Sequence, residues 1–514
     1  MFWPDLPLLS IVLSTPAIAA LLLLLLRNPS RTTIIGITSV STVIPFLLTL
    51  NLLAGYLADP IGYKYLEQYQ WIDALGITFH LGLDGVGVLL YLLTSIVSIS
   101  AIMIGWKIET QQKEFYFFLL LLIVGVYGTF ASVDLFFLFF FYELAALPMY
   151  PLIGIWGAST SFSRFTLTKQ YGAMKLVMYL LLGSVLVWIG LLAIYVEADF
   201  IGFNLFTLRE VTFSQSFQIA IFPLFAIGFG VLATIWPFHT WSPDGHVAAP
   251  TPVSMLHAGV LTKLGAFGIL RVGMEILPDG AAFWMPWIAG IAVINIIYGA
   301  LVTTAQKDLK YIVGYSSVGH MGYVVLGLAT MHPLGMAGAV LQMISHGVMS
   351  ALFFTSVGIV YDRTHTRDVT LLSGLSHRMG KTAGLFTIVG LASLALPGTS
   401  AFIAELLVIL GAFARAFDGP WTVTSTVYLL AGIGGVIGAM MTAVYILRML
   451  GSVFFGPLTD TWEKITDAGP RELVAAGILI AVILGVGLYP FPFLSILDTQ
   501  FDAILTSSNV GNLP

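Results

Sequence analysis

Five titratable residues lie inside long apolar stretches of this sequence: Glu143, Lys263, His320, His346 and Glu405. A charged side chain at the centre of a bilayer costs about 2.5–3.5 kcal/mol on insertion scales, so such residues are rare and mark ion or proton pathways. Desolvation disfavours the charged form of a lysine, whereas a nearby carboxylate favours it. These residue types therefore predict reversible proton transfer, in which the movement of an acid or of water makes Lys263 take up or release a proton.

The five residues are expected at a similar depth in the membrane. Glu143 is nine residues beyond the predicted start of its span, which places it roughly 13–14 Å deep at the helical rise per residue. Lys263 is twelve residues into its span, or about 18 Å, and the hydrocarbon core is about 30 Å thick. His320 and His346 have a second interpretation, because a neutral histidine that is hydrogen-bonded to a neighbouring helix needs no role in transport.

Lys175 and His239 could extend a relay from this layer, although Lys175 is only five residues from the end of its span and could reach the interface instead. His239, His246 and His257 surround a proline-rich segment and raise the question of a metal. Their spacing fits no common ligand pattern, and no acid or thiol completes a set. The sequence therefore predicts no metal site.

Breaks in two apolar stretches indicate where the titratable residues are held. The segment 228–271 contains prolines that each remove a backbone donor, so we predict that it is not a regular helix: Pro237, Pro243, Pro250 and Pro252. A second break is predicted at 396–400, where Pro397 and Gly398 interrupt another apolar stretch. An interrupted helix beside an intramembrane ionisable group is typical of the working centre of a transporter.

The composition requires membrane helices to carry these residues. The 514 residues are 58% hydrophobic and 9% charged, with a mean hydropathy of +0.96, whereas about a quarter of the residues of a soluble domain are charged. A crossing needs about 20 apolar residues, and the sequence predicts an all-α polytopic membrane protein with about 14 transmembrane spans. The predicted spans are 6–26, 32–55, 84–106, 114–131, 134–156, 170–195, 217–241, 251–272, 283–306, 310–329, 334–361, 382–415, 424–455 and 471–492.

The breaks fall in predicted spans 7 and 12, which are five spans apart. This offset predicts two inverted five-helix repeats, spans 4–8 and 9–13. The chain then divides into 1–113 (spans 1–3 with a folded, non-cytoplasmic loop at 56–83), 114–272 (first repeat), 283–455 (second repeat) and 456–514 (span 14 and a tail).

Charge distribution sets the expected orientation and excludes some partners. Most of the 21 lysines and arginines fall on one face of the span map, which predicts that this face is cytoplasmic and that both termini are non-cytoplasmic. The sequence has no cysteine, so this chain cannot ligate an iron–sulfur cluster through thiolates. The net charge of −5 without a basic run argues against nucleic acid, and the apolar surface is expected to contact lipid.

Several motifs resemble the antiporter-like membrane subunits of respiratory complex I and its photosynthetic, ferredoxin-driven relatives. They are 236–246 (WPFHTWSPDGH), 252–263 (PVSMLHAGVLTK), 308–323 (DLKYIVGYSSVGHMGY), 365–368 (HTRD) and 397–405 (PGTSAFIAE). The chain looks like the M-type subunit (D-type in cyanobacterial naming), because Glu405 stands where the L-type subunit has lysine. The resemblance extends from about 115 to 457.

The resemblance implies a proton-translocating subunit of a complex I-type quinone oxidoreductase with NADH or ferredoxin as electron donor. It assigns proton translocation to Glu143, Lys263 and Glu405 and places the family's sixth-helix lysine at Lys175. It also implies neighbouring antiporter-like chains as partners, with the quinone and the iron–sulfur clusters in other subunits. The expected location is an energy-converting membrane, either the bacterial inner membrane or the thylakoid.

One position departs from the family. Its seventh-helix lysine, which pairs with the fifth-helix glutamate, corresponds to Leu232 in this sequence. Either Glu143 has another partner, with His239 and Lys175 as candidates, or it is protonated. Two other functions therefore stay open, a subunit of a multi-subunit Na⁺/H⁺ antiporter and a scaffold paralogue whose transport has decayed. The sequence leaves open the electron donor, the quinone, and whether H⁺ or Na⁺ is carried.

Overall fold

A computed structural model describes residues 6–161 and 166–507 of the chain, which are mostly helical. The helices are α1 (Leu8–Leu25), α2 (Arg31–Ala58), α3 (Gly85–Gly105), α4 (Gln112–Ala131), α5 (Leu135–Ala146), α6 (Met149–Trp156), α7 (Lys169–Glu197), α8 (Leu205–Glu210), α9 (Gln215–Leu232), α10 (Trp241–Ala248), α11 (Thr251–Leu256), α12 (Thr262–Gly268), α13 (Pro278–Ala305), α14 (Leu309–Ala329), α15 (Pro333–Thr364), α16 (Gly380–Ser393), α17 (Ser400–Ala416), α18 (Val423–Phe454), α19 (Pro470–Leu488) and α20 (Phe491–Ser507). The strands are β1 (Lys64–Ile72), β2 (Ile77–Leu83), β3 (Thr160–Ser161) and β4 (Thr166–Leu167), paired as two antiparallel hairpins.

The multi-pass helical architecture expected from the sequence is confirmed. Within the described residues, 13 helical segments are long and apolar enough to cross a membrane, and each corresponds to a predicted span. The one predicted span without such a segment is span 12, 382–415. It is broken into α16 and α17, which have only 14 and 17 residues and are separated at 394–399. The segment Thr251–Met274 crosses as α11 and α12 with two π-helical turns, His257–Leu261 and Ile269–Met274.

The prolines at the break of span 7 act differently from one another. Pro237 lies in the non-helical segment between α9 and α10, and Pro250 is the residue before α11. Pro243 and Pro252, however, lie in the first turns of α10 and α11. The segment is not a regular helix, as predicted, but these two prolines fit within helices, because the first-turn N–H groups of a helix have no intrahelical partner to lose.

The same local structure occurs at the starts of α5 and α14. The Asp134 carboxylate caps α5 by accepting from the N–H groups of Phe136 and Phe137, and Asp308 caps α14 in the same way. Each aspartate also forms an antiparallel bridge, Asp134 with Asn204 and Asp308 with Asp368. Because five crossings separate the two positions, they lie at opposite faces, as expected for inverted repeats.

Helix packing follows the same correspondence. Helix α4 packs on α5 as α13 packs on α14, α7 packs on α9 as α15 packs on α16, and α9 packs on α12 as α16 packs on α18. Buried side chains of these helices form one continuous apolar core. Since hydrocarbon already solvates apolar side chains, this close packing is what holds the helices in register.

Two structures at the end predicted to be non-cytoplasmic extend the predicted map. The loop predicted at 56–83 starts after α2 and folds as the β1–β2 hairpin. Trp71, at the end of β1, packs on Phe136 and Phe137 of α5 with ring centroids 5.7 and 5.2 Å apart. Helix α20, which was not predicted as a separate element, folds back on α3 and α15.

Buried ion pairs hold both ends of α3. At its N-terminal end, Asp84 pairs with Arg271, whose Nη1 is also 2.6 Å from Glu275 Oε1. At the other end, Glu472 of α19 pairs with Lys107 and with Arg363 of α15, the latter at 2.6 Å. Each carboxylate has a cationic partner, so these charges are compensated where they are buried.

Candidate functional site

Lys263 lies at the centre of the chain's buried polar groups. It is the second residue of α12, directly after the π-helical turn His257–Leu261, and it is 0% exposed. π-Helical turns are frequently found at functional sites. The Lys263 ammonium donates a hydrogen bond to the Ala258 carbonyl, and its Nζ is 2.7 Å from His346 Nδ1. The structure therefore joins the two residues that were predicted separately on spans 8 and 11.

The contacts continue from His346 into the second repeat. The rings of His346 and His320 are 5.6 Å apart between centroids. His320 Nδ1 is 3.0 Å from Glu405 Oε1, and all of these side chains are buried. Lys263, His346, His320 and Glu405 thus form one row across α12, α15, α14 and α17, with hydrogen-bond contacts at both ends and no direct hydrogen bond between the two imidazoles in the described structure. Histidine can carry a proton on either ring nitrogen, so such a row can pass a proton between a lysine and a carboxylate.

Two residues of this row were missed by sequence reasoning. Gln342 Nε2 donates to Glu405 Oε1 at 3.0 Å and is 3.3 Å from His320 Nδ1. Ser393 Oγ is 3.0 Å from His320 Nε2, so both ring nitrogens of His320 have a partner. Gln342 precedes His346 by four residues on α15, and this helical spacing could have identified it. Ser393 is the last residue of α16, beside the break. Its uncharged side chain gave no signal in the sequence that it belongs to the row.

Glu143 is separate from the row. It lies on α5 beside a cavity of about 10 Å³ lined by Ala146, Leu147, Val177, Leu180 and Leu181. No ion pair joins its carboxylate to a cationic side chain within the described part of the chain, and Oε1 is buried without a hydrogen-bond partner there. The ion pair that the family resemblance implies at this position is not rebuilt by another cation among the described residues.

Neither candidate partner reaches Glu143. Lys175 Nζ instead forms an ion pair with Asp244 Oδ2 of α10 at 2.7 Å, and Tyr311 donates to the other oxygen of Asp244 at 2.7 Å. Lys175, one of the two candidate partners, is therefore paired with Asp244 and not with Glu143. His239 packs against Tyr298 at 5.1 Å between ring centroids, and neither ring nitrogen has a partner among the side chains and backbone that are described. Sequence spacing gave no indication of Asp244, which stands in the proline-rich break.

His246 of α10 and His257 of the π-helical turn stack with ring centroids 3.9 Å apart. Phe354 covers His246 on its other side at 4.8 Å, and Trp241 stacks on His257 at 5.2 Å. Both histidines are fully buried, and in the described structure none of their four ring nitrogens has a hydrogen-bond partner. Buried polar atoms in proteins are nearly always bonded to protein or ordered water, so we expect water around this pair.

The described positions of His239, His246 and His257 are not those of a metal centre. Across residues 6–161 and 166–507, no group of three or more histidine, cysteine, aspartate or glutamate side chains is arranged to hold a metal ion. His246 and His257 face each other through their rings, whereas a shared metal would require ring nitrogens to converge on one point. Stacking of neutral imidazoles fits a path for water and protons better.

Leu232 is where a cation could be returned to Glu143. It is the last residue of α9 and fully buried. Phe229, one turn earlier, packs on the ring of Tyr142, the neighbour of Glu143, with centroids 5.7 Å apart. We expect Leu232→Lys to form an ion pair with Glu143, measured as the loss of a carboxylic-acid band in infrared difference spectra.

Leu232→Met is the matched control, because it conserves volume without adding charge. If the band is the same in Leu232→Lys and in Leu232→Met, the two positions do not communicate, and the correspondence of Leu232 with the family's lysine is wrong.

Comparisons with known proteins agree on one group. A family profile described as "NADH:quinone oxidoreductase/Mrp antiporter, TM" matches residues 132–434. The NAD(P)H-quinone oxidoreductase chain 4 2 of Synechococcus sp. (strain JA-3-3Ab) is 37% identical over 464 residues, covering 89% of this chain and 84% of the relative. Chain 4 of Acaryochloris marina is 38% identical over 447 residues, covering 85% of this chain and 80% of the relative.

Two solved structures share the fold. A chain of respiratory complex I from Thermus thermophilus has a TM-score of 0.85 at 24% identity, covering 97% of this chain and all of that chain. A chain of the Mrp complex from Dietzia sp. DQ12-45-1b has a TM-score of 0.76 at 19% identity, covering 98% of this chain and 99% of that chain. At these identities the structures establish the architecture, and the curated relatives distinguish between the two complexes.

Proposed function

Since the chain belongs to the family of membrane subunits shared by NADH:quinone oxidoreductases and Mrp antiporters, we propose that it is a proton-translocating subunit of a complex I-type quinone oxidoreductase. Its relatives at 37–38% identity are named as chain 4 of NAD(P)H-quinone oxidoreductases. In this function the chain transfers protons, and electron transfer to the quinone takes place in other subunits.

The observation that carries this proposal is the buried row Lys263, His346, His320 and Glu405. Its contacts of 2.7 Å at one end and 3.0 Å at the other are within hydrogen-bond range. A proton leaves Lys263 Nζ, passes from His346 to His320 through a bridging water, and reaches the Glu405 carboxylate. The breaks in spans 7 and 12 lie beside the two ends of the row, where a small shift of α10 or α17 would change access to water.

The remaining parts of the proposal concern the assembly and its membrane. The partners are other membrane subunits of the same complex, including neighbouring antiporter-like chains, and lipid covers the rest of the apolar surface. Iron–sulfur clusters belong to partner subunits, because this chain has no cysteine to ligate them. The quinone is likewise assigned to a partner subunit. The membrane is a bacterial inner membrane or a thylakoid membrane, with both termini on the non-cytoplasmic side.

We further propose that 114–272 and 283–455 work as the two inverted repeats. Segment 1–113 and segment 456–514 then flank the repeats and hold them together. The paired N-caps at Asp134 and Asp308 support this division. The chain ends of the two flanking segments, 1–5 and 508–514, lie outside the described residues.

A second function, a subunit of a Na⁺/H⁺ antiporter, is supported by the shared fold of the Dietzia Mrp chain. Purification of the intact assembly through this chain, followed by mass spectrometry, distinguishes the two. Copurified iron–sulfur and quinone-site subunits are expected. Copurification of small membrane chains alone would favour the antiporter. A scaffold with decayed transport would copurify with the oxidoreductase, yet substitutions of Lys263 would leave proton transfer unchanged.

A further inference from the structure

A cavity of about 280 Å³ opens at the predicted cytoplasmic face, where the ends of α3, α14, α15 and α19 meet. Its lining includes Lys107, which is ion-paired with both Asp362 and Glu472. Lys310, Ala249 and Pro250 also line it, on the side of the helix break. One water takes up about 30 Å³ in the liquid, so the cavity can bring several waters to the lysine.

Lys310 differs from these ion-paired residues. It is the first residue of the predicted span 310–329, at a membrane edge where a charge is usually exposed, but it is the second residue of α14 and is only 5% exposed. Its Nζ donates to the Ala249 carbonyl at 2.6 Å, and within residues 6–161 and 166–507 no carboxylate oxygen is within ion-pair distance of it. The adjacent Asp308 is engaged instead by Arg367, whose Nε is 3.1 Å from Oδ2.

Two carboxylates lie near Lys310, but each is ion-paired with another cation: Asp308 with Arg367 and Asp362 with Lys107. Arg367 is buried beside it and also donates to the Val247 carbonyl at 3.0 Å. The N-terminal end of α14 adds a partial positive charge. Lys175 and Asp244 form a separate pair on the neighbouring helices. Therefore no counter-ion in this part of the chain fixes the charge of Lys310.

Lys310 also lies on the seam that leads to the stacked histidines. Gly314, one turn further along α14, faces α10 so closely that a methyl group there would be 3.8 Å from His246 Cδ2. Ala249, whose carbonyl binds Lys310, directly follows α10, in which His246 lies. His246 stacks on His257, and His257 begins the π-helical turn that ends immediately before α12 and Lys263.

We propose that Lys310 is the proton-uptake residue of this chain, which takes protons from the cytoplasmic cavity and passes them to the His246–His257 pair. The Nζ–H bond of the ammonium breaks, the proton moves through water to an imidazole nitrogen, and the neutral amine accepts the next proton from cavity water. No other reactant is consumed. This inference rests on the proposed function and adds the residue at which the path begins.

The test compares three substitutions of Lys310 in the intact, membrane-embedded complex. Arginine keeps the positive charge but cannot release its proton, and methionine keeps only the hydrocarbon stem. Histidine can hold and release a proton near neutral pH. We expect Lys310→Arg and Lys310→Met to lower the rate of coupled proton transfer by at least about tenfold. This is a conservative threshold, since a positioned proton-transfer group typically contributes about 10²–10⁴-fold. Lys310→His should retain more of the wild-type rate than either of them.

Lys107→Arg is the matched control. Lys107 lines the same cavity but is ion-paired with Asp362 and Glu472, so arginine should serve equally well there. Wild-type transfer in Lys310→Arg would overturn the proposal, because only the charge would then matter. If Lys310→Met fails to assemble, the comparison of arginine with histidine still decides. If Lys263→Ala lowers transfer while Lys310→Arg does not, this inference alone fails. If neither lowers it, the proposed function fails.

Discussion

Replacing Lys263 with alanine is expected to abolish proton transfer through this chain while the complex still assembles. Lys263 is the only side chain described as contacting both the π-helical turn, through the Ala258 carbonyl, and His346. Without its ammonium the row has no proton donor at this end, and a positioned proton-transfer group typically contributes 10²–10⁴-fold to a rate. The measurement is the number of protons moved per electron in proteoliposomes, together with the rate of quinone reduction.

Two companion variants separate charge and packing from proton transfer. Lys263→Met fills most of the space of the lysine, so it should transport as poorly as Lys263→Ala but be more stable. Lys263→Arg keeps the cation but cannot give up its proton at physiological pH, so it should also fail. Unchanged proton stoichiometry and rate in Lys263→Ala would remove this residue from the mechanism.

The sequence predicted those features that depend on the average environment of a residue. An ionisable group in an apolar stretch is costly to bury whichever helices surround it. This cost identified Lys263, Glu405 and the two histidines as candidate site residues. The two breaks were also predictable, because proline and glycine act locally. The structure then placed four of the five predicted residues in one row.

Features that depend on which helix faces which could not be predicted. Lys175 pairs with Asp244 because α7 packs on α10, a contact between spans that no sequence spacing reports. Lys310 begins a predicted span, and a charge at the edge of an apolar stretch is usually exposed, so only the fold that brings Ala249 against it buries it. The isolation of Glu143 likewise follows from the apolar side chains of α7 that face it.

At the other end of the row, Glu405→Gln is expected to stop proton transfer almost as completely as Lys263→Ala. The glutamine amide conserves the size of the side chain and can still bond to His320 and Gln342, which contact Glu405 Oε1 at 3.0 Å in the native chain. It cannot bind and release a proton at neutral pH. The complex should therefore still assemble and still reduce quinone. The number of protons moved per electron should fall.

Glu405→Lys is expected to be milder, because lysine restores a group that can bind and release a proton. Gln342 Oε1 is buried without a partner among the described groups, so it can accept a hydrogen bond from the new ammonium. The resemblance to the M-type subunit also implies that the related L-type subunits carry lysine at this position. The decisive comparison is between the two variants in the same proteoliposome assay. A harmless glutamine together with an inactive lysine would mean that Glu405 serves as a fixed hydrogen-bond acceptor for His320, and that protons leave the row at His320 without passing through the carboxylate.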